Sequence, residues 1–103
     1  MAVLIYKICT RAEWEAAVSQ GVYRGSDADQ RDGFIHFSQE HQVAETLRRH
    51  FAGQSDLVRV SVDPSALGPS LRYEPSRGGE LFPHLYGALP IGMVNEVVPL
   101  SRG

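Results

Sequence analysis

The apolar positions along the chain follow two different periods. Residues 2–9, AVLIYKIC, are rich in β-branched and aromatic side chains and predict a buried strand. Thr10 ends it. Thr10-x-x-Glu13 has the spacing of a capping box, in which each side chain satisfies the other residue's backbone N–H, so a helix is expected through RAEWEAAVSQ. Trp14, Ala17 and Val18 fall at i, i+3 and i+4 and form its expected buried face, and Gly21 suits a left-handed C-terminal cap. Residues 22–33, VYRGSDADQRDG, are polar and turn-rich and read as a loop of a length that suggests function or mobility. FIHF, residues 34–37, returns to strand period, with Phe34 and His36 on one face and Ile35 and Phe37 on the other.

Ser38 is placed to cap a second helix, QEHQVAETLRRHF, whose buried stripe is Val43, Leu47 and Phe51 and which Gly53 stops. DLVRVSVD then alternates. Val58, Val60 and Val62 face one way and Leu57, Arg59 and Ser61 the other, the pattern of a strand covered on one face. PSALGPS is a turn, LRYEPS a short strand ended by Pro75, and RGGELFPH a loop or bulged lead-in to a strand. LYGALP follows, and MVNEVVPL closes the chain as a strand. Two main helices come early and the strands accumulate late. That order predicts a single α+β domain over residues 1–103, with a mixed or antiparallel sheet.

Composition narrows the function classes. The chain has 103 residues, one cysteine and a formal charge of −2. That size gives one core and little more, and the charge offers no footprint for strong nonspecific nucleic-acid binding. Cys9 has no partner for an internal disulfide, which fits a cytoplasmic protein, and no run approaches the ~20 apolar residues of a membrane span. Its strand position makes Cys9 a packed thiol.

The candidate chemistry lies in the histidines. His41 and His50 sit nine apart on the expected second helix and point to opposite sides, so zinc ligation is not expected. His36 stands at a strand-to-helix junction beside Ser38, where free backbone N–H groups favour phosphate, ribose or carboxylate. The alternative is a core histidine bonded to a backbone carbonyl. His84 and Tyr86 share a face if FPHLYG is extended, and Glu74 reads as an edge-strand carboxylate. Ser38 lacks the GxSxG elbow of a nucleophile, and the chain has neither GxxxxGK[ST] nor GxGxxG.

These stretches together, above all DGFIHFS and FPHLYG, resemble the DUF952 family of small uncharacterised proteins over nearly the whole chain. More distantly, the order of motifs is similar to that of the RNA 2′-phosphotransferases of the ADP-ribosyltransferase fold: IYKICT stands where that family has a histidine-bearing first strand, RDGFIHFS where it has an arginine and a VHLS strand, and DLVRVSVD follows. That resemblance implies a split, mostly antiparallel sheet cupping NAD. It implies that Lys7 to Thr10 line the nicotinamide-ribose side, that His36, Phe37 and Ser38 lie at the cleft floor, and that Arg31 contacts phosphate. It implies that His84 and Tyr86 face the chemistry and that Glu74 is the carboxylate nearest an oxocarbenium-like centre. Lys7 or its neighbour replaces that family's first-strand histidine, and no glutamate stands in FPHLYG. The expectations are therefore an enzyme handling NAD or a nucleotide-like small molecule, a non-catalytic binding module with the same cleft, or an interaction domain whose histidines are structural.

Overall fold

The computed structural model describes residues 3–100, leaving the first residue of the expected opening strand outside the described residues, and its side-chain description omits Arg77. Every strand pairing among the described residues is antiparallel. The chain forms one small α+β domain, as its element order predicts.

β1 (Ile5–Thr10) and β5 (Leu57–Val62) are the centre of a four-stranded sheet whose order is β4-β1-β5-β9, with β4 at Ser38–Gln39 and β9 at Val94–Leu100. A second sheet has the order β3-β7-β6, from Ile35–His36, Leu81–Leu85 and Leu71–Pro75. A short ladder joins β2 (Val22–Tyr23) to β8 (Leu89–Pro90). The alternation of β1 and β5 presents Ile5, Cys9, Val58, Val60 and Val62 to one core, with Trp14, Tyr23, Ile35, Phe37, Leu85 and Leu89. Each large apolar side chain removed from water there contributes roughly 1.5–3 kcal/mol.

α1 (Arg11–Gln20) starts as its sequence dictates. Glu13 N–H donates to Thr10 Oγ1 at 3.1 Å, Thr10 N–H donates to Glu13 Oε1 at 3.5 Å, and Gly21 closes the helix at φ 83°. Trp14 and Ala17 are buried, but Val18 is 51% exposed, so the expected face is narrower than its spacing implied. β5 is also covered more fully than expected. Leu57 and Ser61 are buried along with the three valines, because both faces of this central strand are packed.

Two segments depart from the expectation. The stretch 22–33 is not a loop: it holds β2 and a six-residue helix, α2 (Asp27–Asp32). Ser26 and Asp29 form a second capping box, and Gly33 at φ 91° ends the helix. Ser38 is not a helix cap. It belongs to β4, opposite Tyr6, and its hydroxyl bonds Thr46 Oγ1 at 2.8 Å. The expected second helix is divided into a 3₁₀ turn at Glu40–Gln42 and α3 (Val43–His50). His41 is therefore in the turn, off the α-helix that carries His50. Val43, Leu47 and Phe51 are half-buried, and α3 has no fully buried residue.

The segment 34–39 positions the site. It pairs with β7 through Ile35 and His36, then crosses and pairs with β1 through Ser38 and Gln39. Phe37, 1% exposed, sits at the crossing and donates its N–H to Pro83 O. β1 loses β4 after Tyr6 while its pairing with β5 continues to Thr10, so the sheet splits there.

Gly25 fixes how α2 lies against this split. Its φ is 102°, and a Cβ there would fall 2.7 Å from Cβ of Asp29. Strain of this kind costs on the order of 1–3 kcal/mol. Gly25→Ala is expected to lower stability by about 2 kcal/mol or more in urea denaturation, against no such loss for an exposed Ala44→Gly change beyond its helix-propensity cost of about 1 kcal/mol.

Candidate active site at the split of the sheets

A cavity of about 710 Å³ opens where β1 and β4 part. Lys7 and Ile8 form one wall, residues 25–29 with Arg31 and Asp32 a second, and Thr46, His50 and Phe51 from the end of α3 a third. His36, Phe37, Ser38, Phe82 and His84 stand between these walls, and Glu13 adds a further carboxylate to the lining.

Strand period places Lys7 on the core face of β1, between Ile5 and Cys9, where it is 6% exposed. A buried ammonium needs a partner to offset its desolvation. Asp29, 1% exposed, supplies it, with Oδ2 2.7 Å from Lys7 Nζ. Asp29 also accepts from the backbone N–H of Ser26 and, through Oδ1, from the backbone N–H and ring Nδ1 of His36 at 3.2 and 2.6 Å. Burial alone would raise its carboxyl pKa. The His36 hydrogen bond and the Lys7 charge outweigh burial and hold it well below the usual carboxylate range.

His36 Nε2 lies 3.1 Å from Asp32 Oδ2. A carboxylate oxygen thus faces each ring nitrogen of His36. His36 is thus at the cleft, as expected, but both its nitrogens are engaged with α2.

His84 is arranged differently. It lies directly opposite His36 across β3 and β7, with ring centroids 5.5 Å apart, and it is 5% exposed. Its Nδ1 bonds Glu74 Oε1 at 2.7 Å, and Tyr86 Oη donates to the same oxygen at 2.7 Å. These two hydrogen bonds, Tyr86's first, lower the Glu74 pKa, and the bond to Glu74 raises that of Tyr86. Glu74 is therefore more than the solvated edge carboxylate its position suggests. An ionised Glu74 takes the Nδ1 proton of His84 in hydrogen bonding, which puts the lone pair of the neutral ring on Nε2. That nitrogen has no protein partner among the described residues. Phe34 stacks on His84 at 4.0 Å and touches His36 and Tyr86 at 4.6 and 5.2 Å, locking the cluster.

The structure thus brings His36, His84, Lys7, Phe37, Ser38 and Arg31 to one cavity, while Glu74 and Tyr86 act on it through His84. Arg31 is at the exposed rim, 3.6 Å from Asp32. Thr10 is spent on the α1 cap. Cys9 is inert: burial, followed by the Glu13 charge, pushes its thiol up to about 12.

The residue that sequence reasoning missed is Asp29. Its signal was present, because Ser26-x-x-Asp29 repeats the box spacing of Thr10-x-x-Glu13 and Gly33 follows as a cap.

Residues 8–97 match the model of a family described as a protein of unknown function, DUF952. The chain belongs to the DUF952 family. The crystal structure of protein CC0527 from Caulobacter crescentus is 47% identical to this DUF952 protein, with a TM-score of 0.94, covering 97% of this chain and 88% of that one. The solution NMR structure of CC0527 gives a TM-score of 0.87 over 97% and 86% of the two chains, at 47% identity. No curated protein matches the DUF952 chain. No helix among its described residues is long and apolar enough to cross a membrane.

A depressed carboxyl contributes stability that is complete above its unfolded pKa, near 4, and is lost as pH falls through the lower folded value. Acid unfolding of this DUF952 protein is expected to steepen below about pH 4 for that reason. Asp29→Asn, which leaves Lys7 buried without a counter-charge, is expected to cost about 3–5 kcal/mol at neutral pH and to flatten that acid limb. Urea melts from pH 3 to 7 on both proteins check this; parallel curves would show that Asp29 is not the controlling carboxylate.

Proposed function

We propose that the cleft binds and processes a small ligand of the nucleotide class, NAD or an ADP-ribose derivative, with His84 as its general base and Glu74 as the positioning residue. The observation that carries the acid–base assignment is the His84–Glu74 pair. One nitrogen is fixed by a carboxylate and the other has no protein partner among the described residues, in a ring that lines the cavity. A base needs this tautomer, held before the substrate arrives. His36, with a carboxylate oxygen at each ring nitrogen, has neither nitrogen open to remove a proton.

The nucleotide assignment has different support. A volume of about 710 Å³ falls within the range of small-ligand clefts. The motif order is similar to that of the RNA 2′-phosphotransferases, whose fold is a split, mostly antiparallel sheet. The DUF952 match and the solved relatives add nothing to this part. One observation favours a second reading, a binding module without turnover: His36, the most prominent histidine of the sequence, is committed to Asp29 and Asp32 and serves to hold α2.

A thermal-shift panel with NAD, NADP, ADP-ribose, nicotinamide, AMP and phosphate tests the ligand class. At 100 times the dissociation constant, a ligand adds about 2.7 kcal/mol, a shift on the order of 10 °C for this size. NAD or ADP-ribose is expected to give it. His84→Gln is expected to abolish nicotinamide release from NAD while retaining most of the shift, and Glu74→Gln to slow release and move its pH profile. A shift without release in the wild-type protein would favour the binding module. A flat panel would remove the nucleotide reading.

A further inference from the structure

We infer that Lys7 is the anion-binding end of the cleft and receives a phosphate group of the ligand. The inference deepens the proposed function and rests on it only for the identity of the whole ligand. Lys7 is more than nine-tenths buried, yet it lines the cavity. An ammonium has three donors, and among the described residues Lys7 has one polar partner, Asp29 Oδ2. Two donors are left over in a place where leaving donors unused is costly.

Asp29 is the buried carboxylate at the floor, and it is shared between Lys7 and the doubly bonded ring of His36. Asp32 balances His36 from the rim, at 41% exposure, where water screens it. Lys7 is the buried cation lining the cavity among the described residues, and Arg31 adds a positive charge at the rim, against Asp29 at the floor and Glu13, Asp27 and Asp32 at more exposed positions. Past Tyr6 the outer edge of β1 has no β4 partner, so the strand that carries Lys7 meets the cavity along an open edge. Ser38, 4% exposed, lies at the same fork and puts a hydroxyl on the cavity wall. An ammonium with two spare donors suits phosphate oxygens, which accept charge-assisted hydrogen bonds, better than it suits a neutral or cationic group. The phosphate end would then sit at the split, with the remainder of the ligand reaching toward His84.

The test uses inorganic phosphate and acetate as probes, followed by amide chemical shifts of the ¹⁵N-labelled protein. Phosphate is expected to give saturable shifts centred on Lys7, Ile8 and Ser38, and acetate weaker shifts at the same amides. Lys7→Met alone leaves Asp29 without its cation and can unfold, so the double variant Lys7→Met/Asp29→Asn removes both charges together. It is expected to bind phosphate on the order of tenfold more weakly, the loss of a charge-assisted hydrogen bond, while Lys7→Arg retains binding. Equal affinity in the wild type and the double variant, or shifts confined to Arg48 and Arg49 on α3, would overturn the assignment, as would no saturable shift at all. The two readings fail separately. Phosphate binding at Lys7 with no response to NAD or ADP-ribose removes the nucleotide and keeps the subsite, whereas a nucleotide response unaffected in the double variant does the reverse.

Discussion

The cleft depends on one buried carboxylate. Asp29 sits at 1% exposure and accepts from Lys7 on β1, from the ring and backbone of His36 on β3, and from the backbone of Ser26 ahead of its own helix. Two of these groups lean on it most. Lys7 would be a bare ammonium in an apolar wall, and α2 is too short to persist by its own propensity. The carboxylate thus converts a six-residue helix into a fixed wall, and the capping box does double duty by aiming Asp29 while it closes the helix start.

Around this hub the two histidines, alike in sequence, differ in chemistry because their partners differ. His36 meets a carboxylate at each nitrogen and becomes a fastener. His84 meets one, at Nδ1, and keeps Nε2 for the cavity. Tyr86 adds a second donor to Glu74 and so keeps that carboxylate ionised and oriented. The same residue type on adjacent strands thus has two roles, set by whether α2 or the edge strand β6 faces it.

Much of this was legible in the chain. The two-residue period of 34–37 separated Phe34 and His36 from the core-facing Ile35 and Phe37, and the Thr10–Glu13 box and Gly21 fixed both ends of α1. The element order was enough for an α+β domain. The misses have physical causes. Stretch 22–33 has no apolar stripe, since its helix is held by ionic contacts and caps, and a search by hydrophobic period passes over it. Ser38 has the chemistry of a cap, but pairing with Tyr6 on a central strand outweighed it. Val18 matched the period of α1, yet the core ends at Ala17. The pairing of Glu74 with His84 is a diagonal contact between two strands, which no local spacing encodes.

Residues 34–39 belong to both sheets in immediate succession, with Phe37 as the single residue between the two pairings. A link that short has no slack. The two sheets cannot slide or hinge apart without breaking a ladder on one side, so the width of the fork is set by covalent geometry. The facing wall is tied to the same segment: α2 ends at Asp32, with Gly33 and Phe34 alone between it and β3, and Phe34 N–H donates back to Asp29 O at 3.2 Å. Fork and facing wall are thus one continuous stretch of chain, and the width of the cavity between them is set within a single local run of residues.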